Sequence, residues 1–282
     1  MTHISVDTQQ TPFTAEDASI DIVRKALLSQ GWLDVEHFDT GGTGIIFKAT
    51  QPNTHRLVAL KVIKPRLAER IIVDDDELGQ KKTYADLITR EIRALSSLSH
   101  PSLTEILAAD TLPIDGLHIP YFAMPFYTPA WTLYEYITTR DWGEDPGNGF
   151  QRWFTSALLS LADTFVYIHG LPKPWYHRDV KGGNILVTDR GHVRLMDLGS
   201  AWPAGDALEG DTVTVQDQGY LHPKLMEYLR AYGRTTSDGR RTYLVAPRHL
   251  LAEYGARFDL YAFGVTIRNA LEAFASKHGS HP

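Results

Sequence analysis

Residue types able to accept a proton, bind a cation and neutralise an anion lie close together in the segment HRDVKGGN, from His177 to Asn184. In this segment Asp179 offers a carboxylate, Lys181 an ammonium group and Asn184 an amide oxygen. A positioned carboxylate can take a proton from a reacting hydroxyl, and carboxylate and amide oxygens are good ligands for hard divalent cations. A second carboxylate, Asp197, follows thirteen residues after Asn184 in the segment MDLG. Together the two segments could support acid–base chemistry beside a bound metal.

These two segments resemble the protein-kinase family, whose catalytic loop reads H-R-D-x-x-x-x-N and whose metal-binding segment reads D-F-G. The resemblance implies that Asp179 accepts the proton of the attacking hydroxyl and that Lys181 neutralises the transferring phosphoryl group. It also implies that Asn184 and Asp197 hold Mg²⁺. In this family, a lysine two positions after the aspartate is typical of serine/threonine rather than tyrosine substrates. Leu198 replaces the phenylalanine of D-F-G and is still apolar.

Two segments nearer the N-terminus resemble the parts of this family that orient ATP. The run VALK ends at Lys61 and is similar to the family's V-A-I-K strand, which implies that Lys61 contacts the α- and β-phosphates. Its implied partner is Glu91 in the run REIRAL, and an ion pair between them would hold the lysine in line with the nucleotide. The thirty-residue separation is longer than the family pattern, and the acidic run DDDE accounts for the excess. The predicted catalytic residues are therefore Asp179, Lys181, Lys61 and Glu91.

A glycine-rich segment, DTGGTGIIFKA from Asp39 to Ala49, precedes the Lys61 strand. Glycine lets backbone N–H groups approach phosphate oxygens, because no Cβ stands in the way. Gly41 and Gly44 match the second and third glycines of the family's loop, whereas Asp39 occupies the position of the first. A carboxylate at that position repels phosphate unless it points away. The predicted nucleotide contacts of this loop are Gly41, Gly42, Thr43, Gly44 and Ile46.

The resemblance further implies a site for the adenine base. Residues 121–127 read YFAMPFY and look like the connection between the two lobes, where backbone groups hydrogen-bond adenine in this family. Met124 is expected behind the base, and Phe126 in the connection itself. Ala59 is expected to line the adenine site, and Leu186 to form its floor.

Hydrophobic periodicity predicts strands before residue 124 and mainly helices after it. The first part is predicted to hold a helix from Ala15 to Gln30, strands at 33–38, 45–50 and 57–63, a polar surface loop over 64–82 and a helix over 84–99. The second part is predicted to hold helices at 132–138, 150–169 and 258–273 and a strand hairpin around 185–196. We therefore expect an α+β fold of the two-lobed protein-kinase type. Its small antiparallel-sheet lobe with one main helix would span 32–124 and its mainly helical lobe 125–282, after an N-terminal extension over 1–31.

The resemblance becomes weaker after residue 200. The run GYLHPK resembles the family segment that ends in A-P-E, with Lys224 in place of the glutamate, and leaves 225–255 as an insertion. The run DLYAFGV resembles the family's D-x-W-x-x-G helix, which implies that Asp259 is a buried hydrogen-bond acceptor. The family's later helices do not follow it, so the second lobe is expected to be truncated after the Asp259 helix.

Two threonines, Thr212 and Thr214, lie where the activation segment of this family carries a phosphorylated residue. A phosphate on either one could form charge-assisted hydrogen bonds with Arg178 and order the segment. The alternative is that both residues simply belong to a β-favouring run, TVTV.

Composition excludes several classes of protein. The 282-residue chain has no cysteine, which excludes disulfides, zinc–thiolate sites and thiol nucleophiles. Its net charge of -6 argues against a general nucleic-acid or membrane-surface binder, and no apolar run approaches the roughly 18 residues of a membrane span. We expect a cytoplasmic protein, with delivery as an effector into another cell as an alternative.

The expected function is that of an ATP- and Mg²⁺-dependent serine/threonine protein kinase whose partner is a protein hydroxyl. Two alternatives stay open. A pseudokinase serving as a nucleotide-binding scaffold is favoured by Asp39, Lys224 and the short C-terminal part. A small-molecule kinase of related fold is the other alternative, although Arg178 and Lys181 fit protein kinases better. The oligomeric state is open.

Overall fold

The computed structural model describes residues 15–41, 44–69, 71–75, 80–204, 211–215, 218–232, 234–235, 242–246 and 248–279. Its first elements are α1 (Ala15–Ser29), β1 (Leu33–Thr40), β2 (Gly44–Thr50), β3 (Leu57–Ile63), α2 (Pro65–Ala68), β4 (Ile71–Asp75), β5 (Gln80–Thr83), α3 (Tyr84–Ser97), β6 (Ala108–Ile114) and β7 (Leu117–Pro125). After them come β8 (Ala130–Thr132), α4 (Leu133–Thr139), α5 (Pro146–Gly170), β9 (Trp175–Tyr176), β10 (Ile185–Thr188), β11 (Val193–Leu195), β12 (Trp202–Pro203), β13 (Asp211–Val215), α6 (Pro223–Tyr232), β14 (Arg234–Thr235), β15 (Thr242–Ala246) and α7 (Arg248–His278). After β7 the strands are short and the longest elements are helices α5 and α7, in agreement with the predicted change from strands to helices near residue 124.

An antiparallel sheet in the order β1-β2-β3-β7-β6 forms the first part. Its central strand β3 buries Val58, Leu60 and Val62 completely. Successive side chains of a strand point to opposite faces, so Ala59 and Lys61 share the other face. This alternation places an apolar residue and a cation side by side on one surface of the sheet.

Helix α3 packs against β3 and β7. At its start, the backbone N–H and the hydroxyl of Thr83 both donate to the Asp86 carboxylate, at 2.6 and 2.9 Å, which stabilises the first turn. Ile88 and Leu95 are buried, and Glu91 lies three and four residues from them on the same face. The apolar face of the helix therefore carries Glu91 into the interior, where it is 3% exposed.

The second part of the chain is mainly helical. Helices α5 and α7 meet through the rings of Phe165 and Phe263, whose centroids are 5.1 Å apart, and β10 pairs with β8 and β11. One continuous core of buried side chains runs from Val23 to Phe274 and includes both parts. Within the described ranges, no helix combines the length and the apolar character needed to cross a bilayer. The antiparallel sheet of the first part and the helices of the second part confirm the predicted α+β fold.

The prediction of a surface loop over 64–82 is wrong, because this stretch contains α2 and a β4–β5 hairpin. The β-branched run Ile71-Ile72-Val73 favours an extended strand, and the hairpin register sets Asp74 opposite Lys81. Residues 225–255, predicted as an insertion, hold most of α6, then β14 and β15. The helix predicted to begin at 258 already begins at Arg248.

Candidate active site

An ion-pair cluster joins the sheet, helix α3 and the MDLG segment. The ammonium Nζ of Lys61 lies 2.8 Å from Oε1 and 2.7 Å from Oε2 of Glu91, and 3.1 Å from Oδ1 of Asp197. The side chains of Lys61 and Glu91 are 16% and 4% exposed, whereas that of Asp197 is 46% exposed. The predicted pairing of Lys61 with Glu91 is present, and Asp197 presents its carboxylate to solvent beside it.

With both carboxylates ionised, this cluster carries one negative charge in excess. Burial lowers the pKa of Lys61, but Glu91 and Asp197 outweigh it and hold that pKa above its usual value. Burial raises the pKa of Glu91 to about 7 against the opposing effect of Lys61. Burial also raises the pKa of Asp197, but Lys61, His177 and Lys181 hold it below its usual value. One ammonium thus serves two carboxylates, and Asp197 is the more exposed of the two and the one available to a cation.

The catalytic-loop residues predicted from HRDVKGGN are assembled around one carboxylate. The Lys181 ammonium donates to Oδ1 and Oδ2 of Asp179, at 3.0 and 2.9 Å. The Asn184 amide nitrogen donates to the carbonyl and to Oδ2 of Asp179, both at 2.8 Å. Because the nitrogen is used in this way, the oxygen of the Asn184 amide is the atom suited to a cation. Asn184 and Asp197 together supply oxygen ligands that fit Mg²⁺.

The His177 ring connects the catalytic loop to the MDLG segment through hydrogen bonds. Its Nδ1 accepts from the backbone N–H of Asp179 at 3.2 Å. Its Nε2 therefore carries the proton and donates to the carbonyl of Met196, 3.0 Å away. The ring is completely buried, so the two chemistry-bearing loops are held at a fixed separation.

Asp259 of α7 confirms its predicted role as a buried acceptor. Its carboxylate is completely buried and accepts from the backbone N–H of His177 at 2.8 Å and of Arg178 at 2.7 Å. His169 of α5 lies 2.9 Å from it through Nε2. Arg178 has φ 65°, a left-handed conformation that is costly for a side chain with a Cβ. Asp259 therefore stabilises the backbone turn that aims the next residue, Asp179.

We expect Asp259→Asn to lower the free energy of unfolding by about 3 kcal/mol, because charge-assisted buried hydrogen bonds are lost. Urea unfolding of the two proteins measures this difference. The matched control is Asp163→Asn, which removes a carboxylate 3.1 Å from His100 at a side chain that is 74% exposed. That change should cost less than about 1 kcal/mol. Equal losses in both variants would contradict the role given to Asp259.

Gly182 of the catalytic loop lies against Tyr134 of α4. A Cβ at Gly182 would come within 2.3 Å of the Tyr134 ring, so only glycine fits without rearrangement. The hydroxyl of Tyr134 lies 2.9 Å from the hydroxyl of Tyr220. The amide nitrogen of Asn269 donates to the Tyr220 hydroxyl at 3.1 Å. These hydrogen bonds link α4, against which Gly182 of the catalytic loop packs, to the GYLHPK segment and to α7.

A cavity of about 480 Å³ opens beside these loops. Its lining includes the four residues expected around the adenine base, Ala59, Met124, Phe126 and Leu186, and one residue of the glycine-rich segment, Ile46. Ala59 and Met124 are paired across β3 and β7, which sets them at the same depth. The largely apolar walls suit a flat aromatic ring.

The glycine-rich segment agrees only in part with the nucleotide contacts predicted for it. The backbone N–H of Gly41 donates to the carbonyl of Gly44 at 2.9 Å, which holds the end of β1 beside the start of β2. Neither residue belongs to the cavity lining, while Gly42 and Thr43 lie outside the described residues. Asp39 does line the cavity. Its Oδ1 accepts from the N–H of Thr40 at 2.8 Å.

Of the segment after Asp197, the structure describes residues 198–204, 211–215 and 218–232. Thr212 and Thr214 belong to β13, which confirms the β-favouring pattern, and phosphorylation of either stays a prediction. The Arg178 guanidinium donates through Nε to the carbonyl of Ser200 at 2.5 Å. Lys224, which replaces the A-P-E glutamate, pairs with Glu227 at 3.0 Å within α6.

Three residues of the site had no predicted role: His177, His169 and Thr104. The signal for His177 was its place in H-R-D. No local sequence signal marks His169 or Thr104. His169 contacts the carboxylate of Asp259, which is distant in sequence. The cavity that Thr104 lines is formed by residues from distant parts of the chain.

Comparison with known proteins gives consistent matches. The protein kinase domain family matches residues 33–277. Serine/threonine-protein kinase PknK of Mycobacterium tuberculosis is 30% identical over 204 residues, which is 71% of this chain and 16% of PknK. DNA damage-responsive serine/threonine-protein kinase RqkA of Deinococcus radiodurans is 31% identical over 228 residues, 80% of this chain and 27% of RqkA. Cyclin-dependent kinase 1 of Encephalitozoon cuniculi is 27% identical over 200 residues, 71% of this chain and 60% of that protein. The chain thus spans between 16% and 60% of the length of these relatives, and it belongs to the protein kinase family.

Proposed function

We propose that this protein is an active kinase that transfers the γ-phosphate of ATP to serine or threonine hydroxyls of a protein substrate. The observation that carries the proposal is the joint assembly of the Lys61–Glu91–Asp197 cluster and the Asp179–Asn184 loop. In this proposal residues 32–124 and 125–282 act as the two lobes, after an extension over 1–31. Because ATP is the proposed phosphate donor, we propose a cytoplasmic location, with action as an effector inside another cell as the alternative.

Each side chain then has a distinct task in the transfer. Asp179 accepts the proton of the attacking hydroxyl, and Lys181, which lies 2.9 Å from it, neutralises charge on the transferring phosphoryl group. Lys61, held by Glu91, orients the α- and β-phosphates. Asn184 and Asp197 would hold Mg²⁺, whose charge stabilises the phosphate oxygens when it is bound.

Serine/threonine specificity rests on two observations. Lys181 stands two positions after Asp179, as is typical of serine/threonine kinases in this family. PknK and RqkA, about 30% identical to this chain, both carry serine/threonine kinase in their names. Protein hydroxyls are therefore proposed as the substrate class, with no nucleic-acid partner.

Phosphate transfer from γ-labelled ATP in the presence of Mg²⁺ tests the proposal. We expect label in phosphoserine or phosphothreonine of a generic protein substrate or of the chain itself. ATP binding without transfer to any acceptor would instead support a nucleotide-binding scaffold. Label found only in small molecules would support a small-molecule kinase. Mass spectrometry of the same sample shows whether Thr212 or Thr214 is modified.

We expect Glu91→Gln to lower kcat/KM roughly 10- to 100-fold, because a hydrogen bond between charged groups is replaced by a weaker one. The neutral amide has nearly the shape of the carboxylate, so Lys61 loses its electrostatic anchor without a packing defect. The matched control is Glu36→Gln, which removes an exposed pair with Lys48 at 3.3 Å on the same sheet. Steady-state kinetics of both variants measure kcat/KM. An unchanged kcat/KM for Glu91→Gln would show that the ion pair has no part in the mechanism.

A further inference from the structure

Helices α5 and α7 expose large apolar side chains to solvent. Leu159 and Val166 of α5 are 67% and 72% exposed, and Leu260 of α7 is 52% exposed. Leu159 and Val166 are seven residues apart, about two helical turns, so they lie on one face of α5. Each helix thus has an outward face with apolar character, opposite the face that it buries in the common core.

Two contacts set the register of α5 against α7. The rings of Phe165 and Phe263 have centroids 5.1 Å apart, and Nε2 of His169 lies 2.9 Å from Oδ2 of Asp259. The residue number rises along α5 while it falls along α7, so the two helices are antiparallel. Each residue of α5 consequently lies level with a definite position of α7.

The outward faces of the two helices form one surface, because their opposite faces enter the same core. The register sets Val166 level with a position two residues after Leu260. It sets Leu159 level with a position between Ile267 and Leu271, which are partly buried against the core. Single exposed apolar residues are common, but a contiguous patch marks an interaction site. We call this surface the α5–α7 face; it consists of Leu159, Val166, Leu260, Gly264, Ile267 and Leu271.

Gly264 forms a gap in the α5–α7 face. It is exposed in the middle of α7, and a Cβ built on it would meet no atom within 4 Å among the described residues. Glycine is less favourable than alanine inside a helix, so the helix itself gains no stability from it. The missing side chain lets a second helix approach the backbone closely. Gly264 therefore favours a helix as the occupant of the α5–α7 face.

Two opposite charges flank the α5–α7 face. The side chain of Asp163 is 74% exposed and that of Arg268 is 65% exposed. Asp163 is two residues from Phe165, and at about 100° per residue it lies on the flank of α5 turned away from α7. Arg268 is five residues from Phe263 and likewise lies on the flank of α7 turned away from α5. The register sets Asp163 level with a position about 4.5 Å along the axis from Arg268.

We propose that the α5–α7 face binds a second copy of this chain, with α5 of each copy lying on α7 of the other. In a symmetric dimer the same surface serves both copies. A two-fold axis parallel to the helices turns α5 of one copy onto α7 of the other and keeps every residue at its own level. Asp163 of each copy then meets Arg268 of the other, and opposite charges attract across the contact. Stacking α5 on α5 would instead bring the two Asp163 carboxylates together, which is repulsive.

Sedimentation velocity of the full chain over a range of concentrations tests for the dimer. We expect the mass of a dimer at high concentration, and Val166→Asp should weaken association at least about 100-fold because it buries a charge in an apolar contact. The matched control is Ile22→Asp, at a residue of α1 that is 44% exposed and lies outside the α5–α7 face; this variant should associate as the parent does. The mass of a single copy at every concentration of the parent would overturn the proposal and leave the face to another partner.

Charge exchange tests the arrangement without placing a charge in the apolar contact. Asp163→Arg and Arg268→Asp should each weaken the dimer about tenfold or more, because like charges then meet. Within its own chain Asp163 contacts His100 at 3.1 Å, and Arg268 contacts Glu272 at 3.7 Å. The double variant loses both of these contacts, so recovery of the parent's affinity in it comes from pairing between copies. Failure of the double variant to recover affinity would overturn the arrangement.

Cysteine cross-linking identifies which helices meet, since the chain has no cysteine of its own. A mixture of the Val166→Cys and Leu260→Cys proteins should form a disulfide-linked dimer, which requires Cα atoms within about 7 Å of each other. Each protein alone should form no cross-link, and neither should a mixture of Val166→Cys with Leu159→Cys. A cross-link in the second mixture would overturn the arrangement in favour of α5 on α5.

Discussion

Asp179→Asn is expected to lower the rate of phosphate transfer by roughly 10²–10⁴-fold, the usual contribution of a general base. Asparagine has nearly the same shape but cannot accept the proton of the attacking hydroxyl at neutral pH. Asp179 does not belong to the lining of the cavity, so ATP affinity should stay nearly unchanged. Single-turnover transfer from labelled ATP measures the rate, and calorimetric titration measures the affinity.

The control for this substitution is Asp189→Asn. Asp189 is an exposed carboxylate in the turn after β10 whose Oδ1 accepts from the N–H of Arg190 at 2.9 Å. It has no proposed part in the transfer, and its substitution should leave the rate unchanged. A transfer rate for Asp179→Asn equal to that of the parent would show that another group takes the proton.

Asp197→Asn is expected to weaken Mg²⁺-dependent ATP binding by about 100-fold or more, above the roughly 10- to 100-fold loss typical of residues that only support a metal ligand. The variant removes a charged oxygen ligand whose pKa lies below its usual value because Lys61, His177 and Lys181 outweigh the effect of burial. It also removes the 3.1 Å contact with Lys61. Titration with ATP in the presence and absence of Mg²⁺ measures the effect.

For the parent protein, Mg²⁺ should strengthen ATP binding, and for Asp197→Asn the two titrations should nearly coincide. Asp110→Asn is the control, since Asp110 is an exposed carboxylate of β6 whose Oδ1 accepts from the neighbouring backbone N–H of Thr111. An undiminished effect of Mg²⁺ in Asp197→Asn would contradict the assignment of Asp197 as a metal ligand.

Local sequence patterns were sufficient for β3, for α3 and for the residue types within the motifs. Alternation in β3 predicts a strand that points Ala59 and Lys61 to one face, and helical spacing around Glu91 predicts the face that α3 buries. The HRDVKGGN segment identifies Asp179, Lys181 and Asn184 as a group within six residues, and in the structure they lie within hydrogen-bonding distance of one another. These features depend on a few adjacent residues, so they are readable without the fold.

Patterns of this kind were insufficient where a partner comes from another part of the chain. The residues 64–82 look polar in sequence, yet they form a β4–β5 hairpin. β15 is a strand because β13 and β14 pair with it. A strand becomes stable through its ladder, and the ladder partner need not be near in sequence.

The amino-acid sequence by itself determined the types and order of the chemical groups and, through their periodicity, the face on which each element carries them. Only the tertiary structure decided which groups meet. It brought Asp259 to the backbone of His177 and Arg178 across about eighty residues, and it paired the Lys61 ammonium with the Asp197 carboxylate across more than a hundred. The physical reason is that periodicity reflects local backbone geometry. The partner of a buried polar group is instead set by the packing of elements that are distant along the chain.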